Sequence, residues 1–201
     1  MTLEIDHVVR CVTDLDDESQ NFENTHGLRS VPGGRHTGHG TANRIIPLGT
    51  AYLELVSVVD PEEAAASRFG SWVQDRAATS GFHALCLRTD DIDEVALRRG
   101  LPIAAMSRAK PDGITLHWRL AGLDEMLEEG LPFFIQWDVD EGLMPGREVV
   151  DPPNPSSGFD EVVIAGSVDR LETWVGGCEG LRLVDGAPGV VSAVVQSREL
   201  A

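Results

Sequence analysis

Ile5-Asp6-His7-Val8-Val9, followed by Thr13-Asp14-Leu15, is met again at Gly81-Phe82-His83-Ala84-Leu85 with Thr89-Asp90-Asp91-Ile92, and a third time at Phe159-Asp160-Glu161-Val162-Val163 with Ser167-Val168-Asp169. Aligning His7, His83 and Glu161 sets the copies 76 and 78 residues apart and places a hydroxyl residue at Thr13, Thr89 and Ser167. Each copy reads as a strand with period-two alternation, a hydroxyl N-cap and a short amphipathic helix. Glycine closes each helix, at Gly27, Gly100 and Gly176, because the left-handed terminal turn lacks room for a Cβ.

Beyond the first helix, Leu28–Pro32, Thr41–Leu48 and Tyr52–Val59 read as strands, separated by the turn-rich stretch Gly33–Gly40 and by Gly49-Thr50. Beyond the second, Ile103–Arg108, Thr115–Leu120 and Phe133–Val139 repeat the order, broken by Pro111-Asp112-Gly113 and the acidic insert Asp124–Gly130. Asp60-Pro61-Glu62-Glu63 opens a linker helix through Phe69, Trp72 and Val73, with an N-cap acid and a proline in the first turn. After Pro152-Pro153-Asn154-Pro155 the third copy is shorter: Phe159–Ala165, a helix around Leu171, Trp174 and Val175, Leu181–Val184 and Val190–Gln196. The expected fold is α+β: a βαβββ module at 1–60, a linker helix at 61–80, a second βαβββ module at 81–150, and a truncated βαββ module at 151–201. The first two pair into a curved open barrel, and the third caps an open sheet edge.

A chain of 201 residues with 42% apolar content buries a proper core. Its 16 basic and 33 acidic residues leave a net charge of −17, which repels polyanions and excludes nucleic acid and acidic membranes as partners. Cys11, Cys86 and Cys178 are widely spaced and odd in number, so they read as core residues in a reducing compartment. With no signal-like or membrane-spanning run, the expected location is cytoplasmic.

Two equivalent histidines on paired modules can face one another, which is how a metal acquires two nitrogen ligands. In Tyr52-Leu53-Glu54-Leu55-Val56, Glu54 shares a face with Tyr52 and Val56, and a carboxylate among apolar neighbours is costly unless paired or metal-bound. In Phe133-Phe134-Ile135-Gln136-Trp137-Asp138 the matching polar residue is Gln136, with Asp138 two positions on. The candidate set is His7, Glu54, His83 and Gln136; the alternative is that Glu54 and Gln136 bond across the sheet and the histidines are structural. Two nitrogens and two oxygens with open positions suit Zn, Ni, Mn or Fe(II) alike. Arg35 and His36 in the glycine-rich stretch, Tyr52 beside Glu54, and Arg108, Arg119 and Trp137 are candidates to bind substrate, the last three around a carboxylate attached to an apolar body.

The duplicated βαβββ pattern resembles the vicinal oxygen chelate superfamily of glyoxalase I, extradiol dioxygenases and bleomycin-resistance proteins. It is closest to the glyoxalase-like group, through Gly33-Gly34-Arg35-His36, Gly40-Thr41-Ala42-Asn43, Tyr52-Leu53-Glu54-Leu55, Pro111-Asp112-Gly113, Trp118-Arg119 and Pro132 to Asp138. The resemblance spans nearly the whole chain and implies metal ligands at His7, Glu54 and His83, with the fourth on Gln136. There the pattern departs from glyoxalase I, whose last-strand carboxylate shuttles the proton, because an amide cannot accept one at neutral pH. Extradiol dioxygenases also place a carboxylate on that strand. The resemblance implies a metal-dependent lyase, isomerase or dioxygenase that chelates a small oxygen-rich molecule through vicinal oxygens, with Glu54 or Asp138 as the base. The rival is a metal-free binder of the bleomycin-resistance type. Two modules in one chain close a site unaided, so no homodimer is required, although dimers are common in the superfamily.

Overall fold

A computed structural model describes residues 2–110 and 113–200, so the expected Pro111-Asp112-Gly113 turn lies partly outside the described residues. The first module comprises β1 (Leu3–Cys11), α1 (Leu15–His26), β2 (Val31–His36), β3 (Thr41–Pro47) and β4 (Tyr52–Val58). Two helices, α2 (Pro61–Ala65) and α3 (Arg68–Arg76), lead to the second: β5 (Ala84–Thr89), α4 (Ile92–Arg99), β6 (Ile103–Ala109), β7 (Thr115–Ala121), α5 (Leu123–Glu129) and β8 (Phe133–Trp137). Two 3-10 turns, Glu141–Leu143 and Pro145–Arg147, precede β9 (Glu161–Gly166), α6 (Val168–Val175), β10 (Leu181–Asp185), β11 (Gly189–Val195) and β12 (Arg198–Leu200). None of the described helices is long and apolar enough to cross a membrane.

The first two modules build one curved sheet of eight strands, ordered β2-β3-β4-β1-β5-β8-β7-β6. In each module the first strand lies parallel to the last, β1 with β4 and β5 with β8, and the modules join where β1 meets β5 antiparallel. The edge strands β2 and β6 approach each other across a narrow seam. A Cβ on Gly33 would lie 2.7 Å from Nη1 of Arg108, and one on Gly34 2.9 Å from its Cδ, so this glycine pair leaves the space that an arginine of the opposite module fills. Gly33 to His36 thus belong to a strand rather than a turn.

The convex face, with Val8, Leu53, Leu55, Leu85, Leu87 and Phe134, is buried under Phe22 of α1, Val95 of α4 and the third module. The concave face carries a second cluster, Val9, Val56, Phe133 and Ile135 against Trp72 and Val73 of α3 and Met126 of α5. Burial of such side chains contributes about 1.5–3 kcal/mol each.

Four local expectations need correction. The N-caps of α1 and α4 are Asp14 and Asp91 rather than Thr13 and Thr89: the Asp14 carboxylate accepts from the N–H groups of Asp16 and Asp17, both at 2.9 Å, and that of Asp91 from Glu94 N–H. A carboxylate meets the exposed amides of a first helical turn with the favourable charge that a hydroxyl lacks. Ser167 does sit at the third cap but makes no side-chain bond there; Asp185 Oδ1 accepts from Val168 N–H at 3.3 Å instead. The linker is two helices, because the Ser67 hydroxyl accepts from Gly70 N–H and starts a new one. The third module is βαβββ, with the order β10-β9-β11-β12, so its first strand lies beside its second. It covers the outer face of β1 and β5 through Val162, Ile164 and Leu171 rather than extending a sheet edge.

Candidate active site

The site starts from a β-bulge. Ile5 lies opposite Leu87 and His7 opposite Cys86, which leaves Asp6 as the extra residue of β1. A bulge can re-aim a side chain that regular alternation would send to the other face. Asp6, 2% exposed, holds His7 Nδ1 with Oδ1 at 2.7 Å and accepts from Trp137 Nε1 with Oδ2 at 3.0 Å. An ionised carboxylate only accepts, so Nδ1 of His7 carries the proton and Nε2 presents its lone pair. The ring is clamped by Tyr52, stacked with centroids 4.5 Å apart, and by the edge of Phe133.

That lone pair faces Glu54 on β4, Nε2 to Oε2 being 3.6 Å. Glu54 is buried, and its other oxygen lies 3.6 Å from Nε2 of His36 on β2. The hydroxyl of buried Thr41 engages His36 Nδ1 at 2.9 Å, which turns Nε2 toward the carboxylate. Burial lowers the His36 pKa from its ordinary value against the opposing pull of Glu54, so this imidazole is neutral at neutral pH. Asn43 on β3 donates through Nδ2 to Glu54 Oε1. Its own oxygen is held by Gly34 N–H at 2.9 Å and by Arg108 Nη1 at 3.0 Å, which settles which end of the amide faces the carboxylate.

These groups line a cavity of about 150 Å³ together with Arg35, Thr37, His39 and Ser107 and with an apolar, aromatic wall that includes Phe69, Trp72, Trp118, Phe133, Ile135 and Trp137. A cavity of roughly that volume accommodates a benzene-sized body. Burial, with the charges of Asp6 and Glu54 next, raises the Tyr52 pKa well above its ordinary value and keeps the phenol neutral.

The structure gathers His7, Glu54, His36, Tyr52, Arg35, Arg108 and Trp137 around the cavity and leaves out His83, Gln136, Arg119 and Asp138. His83 comes just before the first residue of β5, and its imidazole packs edge-on to Trp72 of α3, with ring centroids 6.4 Å apart, outside the cavity lining. There its Nδ1 accepts from Cys11 N–H at 3.0 Å and its Nε2 meets Thr79 Oγ1 at 2.8 Å, a structural role. Gln136 likewise falls between the cavity-lining Ile135 and Trp137 and points outward. Its Oε1 accepts from Ile92 N–H at 3.0 Å and from Arg119 Nη2 at 2.8 Å, and its Nε2 donates to Asp90 O. Arg119 also pairs with Asp93 on that outer face, and Asp138 is exposed beyond the end of β8. A shift by an odd number of residues moves a side chain through the sheet, and that is how the expected set loses Gln136, whereas His83 is lost to packing beside α3. Asp6 and Asn43 were missed: β1 also holds Glu4, His7 and Arg10, and β3 also holds Thr41 and Arg44, so a polar side chain on either strand does not stand out.

The donors that would hold a divalent cation in the cavity are His7 Nε2, His36 Nε2 and Glu54: each imidazole has its other nitrogen engaged and each Nε2 lies 3.6 Å from an oxygen of the one carboxylate, while the three ligand atoms do not all fall within 4.8 Å of one another. A more compact group exists among the described residues: Asp6, His7 and Cys86 have ligand atoms within 4.8 Å of one another. There, however, both Asp6 oxygens are already bonded, and burial pushes the Cys86 thiol well above its ordinary pKa, away from the thiolate a metal needs. We read that group as support for the His7 ring.

Residues 5–176 match the model of a family described as a glyoxalase-like domain. Among solved structures, a hypothetical protein from Staphylococcus aureus superposes with a TM-score of 0.71 at 20% identity, covering 94% of this chain and 88% of that one. Methylmalonyl-CoA epimerase in complex with methylmalonyl-CoA and NH4+ superposes with a TM-score of 0.50 at 18% identity, covering 69% of this chain and 97% of that one. At such identities the likeness speaks to the fold alone. No curated protein sequence matches the chain.

Proposed function

The chain belongs to the glyoxalase-like domain family of the vicinal oxygen chelate superfamily, and from that premise we propose that it is a cytoplasmic metal-dependent enzyme of the lyase or isomerase type, acting on a small oxygen-rich molecule. The observation that supports this reading is the buried Glu54 carboxylate, set between the Nε2 atoms of two imidazoles at 3.6 Å each. Three free cysteines suit a reducing compartment.

His7, His36 and Glu54 would hold the cation. When bound, it supplies Lewis-acid polarisation of vicinal substrate oxygens and stabilises negative charge that develops on them. The protein's own part is preorganisation. Asp6 fixes the tautomer and plane of His7, Asn43 orients Glu54, and the aromatic wall excludes water so that each polar contact acts at low dielectric. Glu54, once displaced from the cation, is the base we assign, taking the substrate proton on Oε2, the oxygen beside His7. Exposed Asp138 lies too far along β8 to share that task. Dioxygenase chemistry is set aside, because the reading rests on a proton acceptor already aimed at the cavity.

The test is elemental analysis of protein purified without chelators, with competition titrations of Zn, Ni, Mn and Fe(II). One equivalent of metal is expected in the wild type, with affinity lowered about 10–100-fold in Asp6→Asn, whose effect is on the ring of His7, and further in His7→Ala and His36→Ala. His83→Ala keeps the wild-type affinity. A wild type that takes up no metal after supplementation favours the metal-free binder, a reading that the donor-free wall of Phe133 and Ile135 supports.

A further inference from the structure

Of the two arginines in the cavity wall, Arg108 is the one without a carboxylate partner. With 33 acidic residues against 16 basic ones, arginines find carboxylates easily: Arg35 bonds Asp60 and Glu63, Arg88 bonds Glu4, Arg119 bonds Asp93 and Arg170 bonds Glu129. Arg76 and Arg99, which lack a carboxylate, lie over aromatic rings. Arg108 does neither. It is half-buried in the cavity wall, and its one side-chain bond among the described residues is to the neutral amide oxygen of Asn43. Only Nη1 is bonded among the described residues, so the rest of the fork is open to solvent and to an incoming anion. Gly33 and Gly34 leave room for its close approach, since a Cβ at Gly33 would come 2.7 Å from its Nη1 and one at Gly34 2.9 Å from its Cδ.

We propose that Arg108 is the specificity-determining residue of the cavity and that the substrate is a small carboxylic acid with an apolar, ring-sized body. The carboxylate meets the fork of Arg108 in a charge-assisted bond, while the body lies against Trp118, Trp137 and Phe133. The other arginine of the cavity lining, Arg35, is already neutralised by Asp60 and Glu63 and does not compete for the anion. Because Arg108 comes from the second module and Glu54 from the first, the anion and the reacting carbon are held by opposite sides of the seam. This inference rests on the cavity being the substrate site, and it is independent of the bound metal.

The experiment measures binding rather than turnover. Benzoate, phenylacetate and 3-phenylpropionate, each beside its neutral amide, are titrated while following the fluorescence of the cavity tryptophans. At least one acid is expected to saturate and to bind about tenfold or more tightly than its amide. Arg108→Met is expected to abolish that gap with an unchanged Tm. If Arg108→Met does not fold, Arg108→Lys, which keeps the charge and loses the planar fork, is expected to narrow the gap severalfold. Acids and amides that bind alike, no saturable acid in the panel, or a gap that survives in the folded Arg108 variants would each overturn the assignment. The same titrations are run with and without a metal chelator: a preference that persists in both and is lost in the Arg108 variants stands apart from the metal reading, whereas one lost with the chelator alone belongs to the cation and overturns this assignment.

Discussion

On β4 the residues that face the cavity are Tyr52 and Glu54, whereas on β8, the matching strand of the second module, they are Phe133, Ile135 and Trp137. The strands hold the same place: each lies parallel to the first strand of its own module, His7 opposite Tyr52 in one and Cys86 opposite Phe133 in the other. The duplicated backbone therefore reproduces the trough but not its chemistry. The first module supplies both imidazoles and the carboxylate. The second supplies an apolar wall, the indole that fixes Asp6, and one arginine across the seam. Sheet pairing constrains alternation and burial, which many apolar residues satisfy, while a donor set requires particular atoms at particular positions.

This division of labour can be broken most sharply by returning a carboxylate to the second module. Ile135 is 2% exposed, so Ile135→Glu without metal is expected to cost about 3 kcal/mol in urea unfolding, the scale of an uncompensated buried charge. Adding the divalent cation should recover part of that loss as a concentration-dependent rise in Tm. A variant as stable as the wild type in the absence of metal would mean that the wall is not the dry surface described here. A smaller effect is expected from Gln136→Ala. It removes the acceptor of Ile92 N–H at the start of α4 and should cost about 1 kcal/mol, the usual worth of a cap, with metal affinity unaltered. Any loss of metal would bring Gln136 back into the site.

The smallest effect compares the two histidines. Burial, with Arg76 and Arg10 adding to it, lowers the His83 pKa to about 4. A histidine depressed in the folded state is protonated first in the unfolded chain, so stability declines as pH falls from about 6.5 toward 4. His36 is depressed for the same leading reason and contributes in the same direction. His83→Gln should therefore flatten the acid limb of the stability curve measured by denaturation between pH 7 and 4. The pH dependence of metal affinity should stay as it is, since protonation of His36 and not of His83 competes with the cation. A metal affinity curve that moves with His83→Gln would contradict the placement of that ring outside the cavity.

Much of the fold was legible because its signals are local. Glycines at 27, 100 and 176 end helices where expected, and Asp60-Pro61 begins one. The cap positions were misread by one or two residues because the hydroxyl and the aspartate stand side by side in Thr13-Asp14 and Thr89-Asp90-Asp91. The candidate site was half legible. Glu54, His7, His36 and Arg108 stand out as polar groups on strands or among glycines, but His83 and Gln136 carry the same signature and serve as hydrogen-bond partners outside the cavity.

The sequence by itself determined the strand and helix order of the two βαβββ modules, the helix ends, and which side chains of β4 share a face, since each depends on periodicity and on residues near in the chain. Only the tertiary structure decided the inward faces of β5 and β8, the turning of His7 by the bulge at Asp6, and the arrival of Arg108 beside Asn43. Those depend on register between distant strands and on closure of a seam, and a shift of a single residue in either would exchange the chemistry inside the trough for the packing outside it.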